Sequence, residues 1–369
     1  MRYQQPLKQI FTQTREQWDR PDVRPAVRKN FEKVTLCRTV ALGAEVYASE
    51  TEEQCFPHTC KSRACPSCGH RATTLWQREQ WAALPNVRYI GINFTMPDVL
   101  WPIFRSNRHL LHDLPALAAS VIQQYLKLKH HVCGLVMVVP HTFGRRLNFH
   151  PHLHTLVSSG GMRDGENRWV NVGEFNKNAL MQMWKFAVIN YLRDALSAKV
   201  LHSKLSERKL KQVLTQQYER WWNIHVVRFA SKYQFIRYAG RYIRRPPIAQ
   251  HRFTKIGDGQ VEFLRKDLKL KKWVPTQYSI EDFLVALADH IPDRYRHAIR
   301  YFGLLAPSAK GRTDLALFAV LRQPKSPRPL RLSWAASLKR DFRRDPLLDS
   351  SGKRMRWVRR SCAADHLSI

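Results

Sequence analysis

Apolar residues along the chain switch between a helical and a strand period, and the switches set out the elements. Near the start, "LKQIFTQTREQWDR" is helical, and a Cys-rich loop segment follows, closed by a second helix, "ATTLWQREQWAAL". At "NVRYIGINFTMPD" the residues become β-branched and aromatic, with turn chemistry after them, which predicts a strand. "HLLHDLPALAASVIQQYLKLKHH" returns to helical spacing. "GLVMVVPHT" and "HPHLHTLVSSGG" then read as two strands separated by the turn-like "FGRRLN", and they are expected to pair as an antiparallel hairpin. From about 172 to 245 the chain reads as helical: "EFNKNALMQMWKFAVINYLRDAL", a Lys-rich amphipathic run to about 218, then "RFASKYQFIRYAGRYIRR". Pro246 and Pro247 end that last helix, because proline lacks the amide donor and clashes with the preceding turn. A short β-like stretch, "GQVEFLRKD", a helix, "SIEDFLVALADHI", and "HIPDRYRHAIRYFGLLA" complete the patterned part. The tail from about 313, with "QPKSPRPLRL" and "RMRWVRR", is basic and proline-punctuated, and is expected to be partly ordered at best. No internal repeat is evident.

The chain of 369 residues is long enough for two or more domains with a sizeable core. The patterns divide it into a helical and Cys-rich part, 1–85, a part of mixed strands and helices, 86–312, and the basic tail, 313–369; the class expected is α+β. No apolar run reaches the length needed to cross a bilayer, which argues against a membrane protein. The segment "MRYQQPLKQIFTQTREQW" lacks the apolar core of a secretory signal, so the expected location is the cytoplasm, with the nucleoid. Charge narrows the partner: 62 Lys and Arg against 29 Asp and Glu leave a net +33. Such an excess self-repels unless a polyanion neutralises it, and nucleic acid is the abundant one. In "YERWWNIHVVRFASKYQFIRYAGRYIRR" the basic residues alternate with aromatic rings, which suits stacking on unpaired bases beside phosphate contacts and so favours single strands.

Four of the seven cysteines, Cys55, Cys60, Cys65 and Cys68, fall within fourteen positions in "CFPHTCKSRACPSCGH". In a cytosolic protein that density reads as metal rather than disulfide. Cys65 and Cys68, around Pro66 and Ser67, form a Cys-x2-Cys knuckle of the kind that holds zinc, and Cys60 is the natural third ligand. The fourth is Cys55, with Cys37, His58 and His70 as competitors. A closed four-ligand site of this kind is structural, not catalytic. Cys133 and Cys362 read as ordinary thiols.

His150, His152 and His154 alternate along one predicted strand and so share a face. His152 and His154, at i and i+2, can bind one divalent cation while Leu153 anchors the strand in the core. Tyr238 and Tyr242, four apart in "YAGRY", lie one turn apart on one helix face, among Arg237, Arg241, Arg244 and Arg245. With a metal polarising a phosphate and arginines nearby, a tyrosine hydroxyl can attack it, giving a 5′-phosphotyrosine and a free 3′-hydroxyl. Taken alone, each pair is as well explained by packing.

Together with "TCKSRACPSCG", "FTMPDVLWPIF" and "HIPDRYRHAIRYFG", the stretches "HPHLHTLVSSGG" and "YAGRYIRRPPI" make the chain resemble, over roughly residues 37 to 312, the insertion-sequence transposases of the ninety-one family, two-tyrosine members of the HUH nuclease superfamily. The resemblance implies a small zinc-binding region followed by an HUH-type catalytic domain whose central antiparallel sheet is flanked by helices. It implies rolling-circle-like transposition through single-stranded or hairpin DNA ends, with Zn2+ as the structural ion and Mg2+ or Mn2+ as the cutting metal. Carried onto this chain, His152 and His154 become metal ligands and Tyr238 and Tyr242 the nucleophiles. A third metal ligand is expected from Gln234, one turn before Tyr238, with His150 and His141 as alternatives. Members often carry a further cysteine pair after the tyrosine matching Tyr47, and "VYASETEEQC" lacks it, which leaves the fourth zinc ligand open. Two rival readings use the same motifs: a rolling-circle replication initiator, and a non-catalytic zinc-dependent DNA-binding regulator.

Overall fold

The structure, a computed structural model, describes residues 5–243, 246–293 and 295–361; Arg244, Arg245 and Cys362, singled out above, lie outside them. The chain forms two compact units, one from the described parts of Met1–Leu75, Arg244–Arg294 and Pro329–Ile369, the other from Trp76–Ile243 and Tyr295–Arg328. Helices and antiparallel sheets make up both, so the class is α+β as expected. No helix among the described residues is long and apolar enough to cross a membrane.

In the first unit, helices Pro6–Gln13 and Pro25–Thr35 pack through Phe11 and Phe31, stacked with ring centroids 3.9 Å apart and closed at the edge by Trp18. Arg24 ties the start of the second helix to Asp293 at 2.7 Å. "GQVEFLRKD" is the middle strand, Gln260–Lys266, of a three-stranded sheet with Phe253–Gly257 and Trp273–Ser279. A second small sheet has Ala44–Ala48 between Glu53–Pro57 and Arg356–Ser361. The basic tail, expected to be partly ordered at best, thus supplies a paired strand and a helix, Trp334–Phe342. The strand is held by a ladder of pairs with Ala44–Ala48, and its charges are paired: Arg359 meets Glu53 and Arg360 meets Glu45, each at 2.9 Å, and the Trp357 indole donates to Glu45 at 2.9 Å. The tail's cations find carboxylates in the sheet they join.

The second unit is built on a sheet ordered Arg300–Gly303, Val132–Phe143, Phe149–Arg163, Tyr89–Phe94, Ile224–Arg228, with Trp169–Asn171 added beside the third. The expected hairpin is its centre: Val132–Phe143 pairs with Phe149–Arg163 around a turn in which Leu147 takes a left-handed φ of 64°. "SSGG" allows close packing, because a Cβ on Gly161 would collide with the Cys133 backbone. Strand alternation gives the sheet two different faces. One, with Ile90, Ile92, Val136, Val138 and Val157, packs against helices Leu114–His130 and Lys177–Ser197. The other, with Tyr89, Leu135, Met137 and Leu156, takes Phe235, Ile236 and Ala239 from helix Lys232–Ile243. The sequence pattern does not show three strands of this unit: the three-residue Trp169–Asn171, Ile224–Arg228 and Arg300–Gly303. Ile224–Arg228 lies inside the stretch taken as helical; its Ile-x-Val-Val run fits a pleated edge, but at five residues it is too short to show a period against long flanking helices. Arg300–Gly303, four residues, is shorter still.

Candidate active site

The second face of this sheet is apolar at one end and histidine-lined at the other. Met137, Val139 and His141 follow one another on that face of their strand. The hairpin register sets His141 opposite His152 and Val139 opposite His154, so three imidazoles meet across two strands. One ring nitrogen from each of His141, His152 and His154 lies within 4.8 Å of the others. His141 and His154 are buried, and His152 is half-buried.

Hydrogen bonds fix the tautomers. The His154 Nδ1–H donates to Asn93 Oδ1 at 2.7 Å, and the His152 Nδ1–H to the His150 carbonyl at 2.8 Å; in each the lone pair is then on Nε2. His141 is turned the other way: its Nε2–H donates to the Tyr242 carbonyl at 2.9 Å, which puts the lone pair on Nδ1. A bond from the second ring nitrogen to a carbonyl or amide is how metal-binding histidines are usually oriented.

Helix Lys232–Ile243 lays its tyrosines over this end. Tyr242 stacks on His154 with centroids 3.8 Å apart and planes 27° apart, and its ring is 5.7 Å from that of His141. Tyr238 lies 4.8 Å from Tyr242, against Phe229 at 4.9 Å, over Gly91, whose missing side chain leaves room for the ring. Gly240 serves the opposite side of the helix, where a Cβ would run into Gln77. Burial, and then the hydrogen bond shared with Tyr242, raise the Tyr238 phenol above its ordinary pKa, so it stays protonated at neutral pH. The Arg241 guanidinium sits 5.4 Å over the Tyr238 ring and that of Arg237 5.5 Å over Tyr233; both arginines are exposed.

Gln234, expected as third ligand, is exposed, and its side-chain oxygen instead accepts the Ala230 amide at 3.2 Å, capping the start of its own helix. His141, one of the alternatives, takes that place in the cluster. His150 packs between Trp101 and His152, at 4.8 and 4.9 Å, and burial lowers its pKa. Asn93 was missed; as the one amide among in-facing residues of "YIGINF" it is a polar exception that marks it.

In the first unit, the sulfurs of Cys37, Cys60, Cys65 and Cys68 converge within 4.8 Å of one another. Cys68 is 3.5 Å from both Cys37 and Cys60, and Cys65 is 3.9 Å from Cys37. A tetrahedron with Zn–S bonds of about 2.3 Å has edges of roughly 3.8 Å, so the spacing fits zinc. Shared S–H···S bonds, foremost with Cys37, lower the Cys68 thiol and raise those of Cys60 and Cys65, while Cys60 in turn lowers Cys37 to about 7. Cys55 does not join them. It sits exposed on strand Glu53–Pro57 opposite Val46, and Cys37, just past helix Pro25–Thr35, completes the set. The other competitors are engaged elsewhere: His58 between the Leu42 carbonyl and the Glu45 carboxylate, both at 3.1 Å, and His70 beside Asp341 at 3.4 Å.

Two family models match the chain: one described as "Transposase zinc-binding domain" over residues 7–96, and one described as "Putative transposase" over residues 134–312. The chain is 31% identical over 358 residues to the transposase for insertion sequence element IS801 of Pseudomonas savastanoi pv. phaseolicola, covering 92% of this chain and 86% of that one. It is 28% identical over 297 residues to "Putative transposase y4qJ" of Sinorhizobium fredii (strain NBRC 101917 / NGR234), covering 76% and 74%. No solved structure matches it at a significant level.

Proposed function

Because this chain belongs to the IS91 family of insertion-sequence transposases, we propose that it nicks and rejoins single-stranded DNA at element ends through a 5′-phosphotyrosine link, in a rolling-circle-like route. The observation that carries this reading is Tyr242 stacked on His154 at 3.8 Å, within a cluster of three imidazoles whose tautomers are fixed. His141, His152 and His154 would hold the cutting metal, Mg2+ or Mn2+, which when bound supplies positive charge to the scissile phosphate. Three nitrogens are softer donors than the oxygens Mg2+ prefers, so of the two ions Mn2+ suits the set better.

The phenol oxygen of one tyrosine forms the new bond to phosphorus as the bond to the 3′ oxygen breaks; the phenol gives up its proton and the 3′ oxygen gains one. Two nucleophiles on one helix face let one tyrosine hold a 5′ end while the other serves a second strand transfer. Arg237 and Arg241 balance phosphate charge. The zinc-binding domain, with Zn2+ held by Cys37, Cys60, Cys65 and Cys68, keeps its own fold and helps grip the element-end DNA, single-stranded or hairpin, while the chain works in the cytoplasm at the nucleoid.

The test is a labelled single-stranded element-end oligonucleotide incubated with Mn2+ and each tyrosine variant. Wild type is expected to form a covalent protein–DNA adduct that survives denaturation, and the Tyr238→Phe/Tyr242→Phe double variant none. An adduct from the double variant would refute the tyrosine assignment, and no adduct from wild type on any end sequence would leave a DNA-binding regulator.

A further inference from the structure

We propose that residues 220–223, together with the end of strand Tyr89–Phe94, form a pocket for one unpaired nucleobase beside the scissile phosphate, with Trp221 as its stacking face. The proposal rests on the DNA-cutting reading above and adds to it the feature that selects single-stranded substrate. A cavity of about 220 Å³ is lined by Thr95, Met96 and Pro97 and by residues 220–223. Its place follows from sheet register. Asn93, the partner of His154, pairs with His225, and the cavity opens two residues beyond each, at Thr95 and Asn223, where the Thr95 hydroxyl donates to the Asn223 carbonyl at 2.6 Å. Two strand residues span about 7 Å, comparable with the step between neighbouring phosphates of an extended strand.

The walls are pinned from behind. The buried Lys185 ammonium donates to the carbonyls of Tyr218 at 2.6 Å and Arg220 at 3.2 Å, holding the loop, while the indoles of Trp184 and Trp101 donate to the carbonyls of Thr95 and Met96 at 2.8 and 3.1 Å. Against this fixed frame, Trp221 is 59% exposed although its neighbour Trp222 is 1% exposed. Packing accounts for Trp222 and not for Trp221. An exposed indole and an exposed Arg220 beside a preformed cavity suit a flat, polar-edged ring carried on a polyanion. Stacking on such a platform is tolerant of base identity and needs the base unpaired.

The test uses full-length protein in the Tyr238→Phe/Tyr242→Phe background, so that binding is read without cutting, with fluorescein-labelled oligothymidine and a duplex of equal length. Trp221→Ala is expected to weaken oligothymidine binding roughly 5- to 150-fold, the range for losing one base–aromatic stack, and to leave duplex binding within about twofold. Oligothymidine is also expected to quench intrinsic tryptophan fluorescence, and that quench to shrink measurably in Trp221→Phe, a variant that keeps an aromatic ring in place. Unchanged oligothymidine affinity, equal losses on both DNAs, or a quench undiminished in Trp221→Phe overturns the pocket. The covalent-adduct assay on wild type reports separately on the nuclease reading.

Discussion

Asn93 is a positioning residue. Its Oδ1 takes the Nδ1 proton of His154 at 2.7 Å and so commits the Nε2 lone pair to the three-imidazole cluster. Removing the amide frees the ring to rotate and to change tautomer while leaving all three imidazoles in the chain. Asn93→Ala is therefore expected to raise the Mn2+ concentration needed for half-maximal adduct formation about 10- to 100-fold, with the adduct yield recovering at saturating Mn2+. Asn93→Asp, which keeps an acceptor for the His154 Nδ1–H, should leave the Mn2+ titration near that of wild type, whatever it does to the Tyr238 phenol that the Asn93 side chain also hydrogen-bonds. An alanine variant with an unshifted Mn2+ titration would show that His154 is oriented by packing on Tyr242 alone.

Elements decide which residues of a motif can meet, and the cysteines show this. Cys55 fits the spacing as well as any cysteine in the run, yet a strand carries it away: Glu53–Pro57 pairs along its length with Ala44–Ala48 and leaves the Cys55 side chain exposed. Cys37, eighteen positions earlier in sequence, returns because it follows helix Pro25–Thr35 directly, and the Cys60 amide points at its sulfur at 3.4 Å. One zinc per chain is expected for wild type and for Cys55→Ser, whereas Cys37→Ser should lose most of its zinc and lower the first unfolding transition. Equal zinc contents in the two variants, measured by atomic absorption, would restore Cys55 as a ligand. The hairpin could be read in the sequence, because a continuous, largely β-branched apolar run, Leu135 to Val139, and the alternating histidine stretch flank a marked turn, and its register alone brings His141 opposite His152. Gln234 had the spacing of a ligand from helix periodicity, but nothing local shows that its amide caps the helix start. The strand in the basic tail was hidden because its partner, Ala44–Ala48, lies some three hundred residues away, and the carboxylates that offset its arginines are equally remote.

At the scale of the whole molecule, the +33 charge is not spread evenly in its availability. Arg359 and Arg360 are committed to carboxylates within the small sheet, Arg228 to Glu174 at 2.6 Å and Arg265 to Asp267 at 2.8 Å. Arg237 and Arg241, on the tyrosine helix, have aromatic rings as neighbours and no ion pair among the described residues, and both are exposed. A cation already paired with a carboxylate releases little counterion when DNA arrives, because it must exchange one anion for another; an unpaired one displaces a condensed cation from the phosphate outright. Each phosphate neutralised on a single strand lowers the logarithm of affinity by about 0.7 per decade of salt. Arg237→Ala/Arg241→Ala is thus expected to flatten the salt dependence of oligothymidine binding by roughly 1.4 in slope, losing most affinity at low salt and little at high salt. Arg359→Ala/Arg360→Ala, which removes as much formal charge, should flatten it far less. If the two double variants change the slope alike, total charge governs DNA binding and the placement of unpaired arginines around Tyr238 and Tyr242 has no part in it.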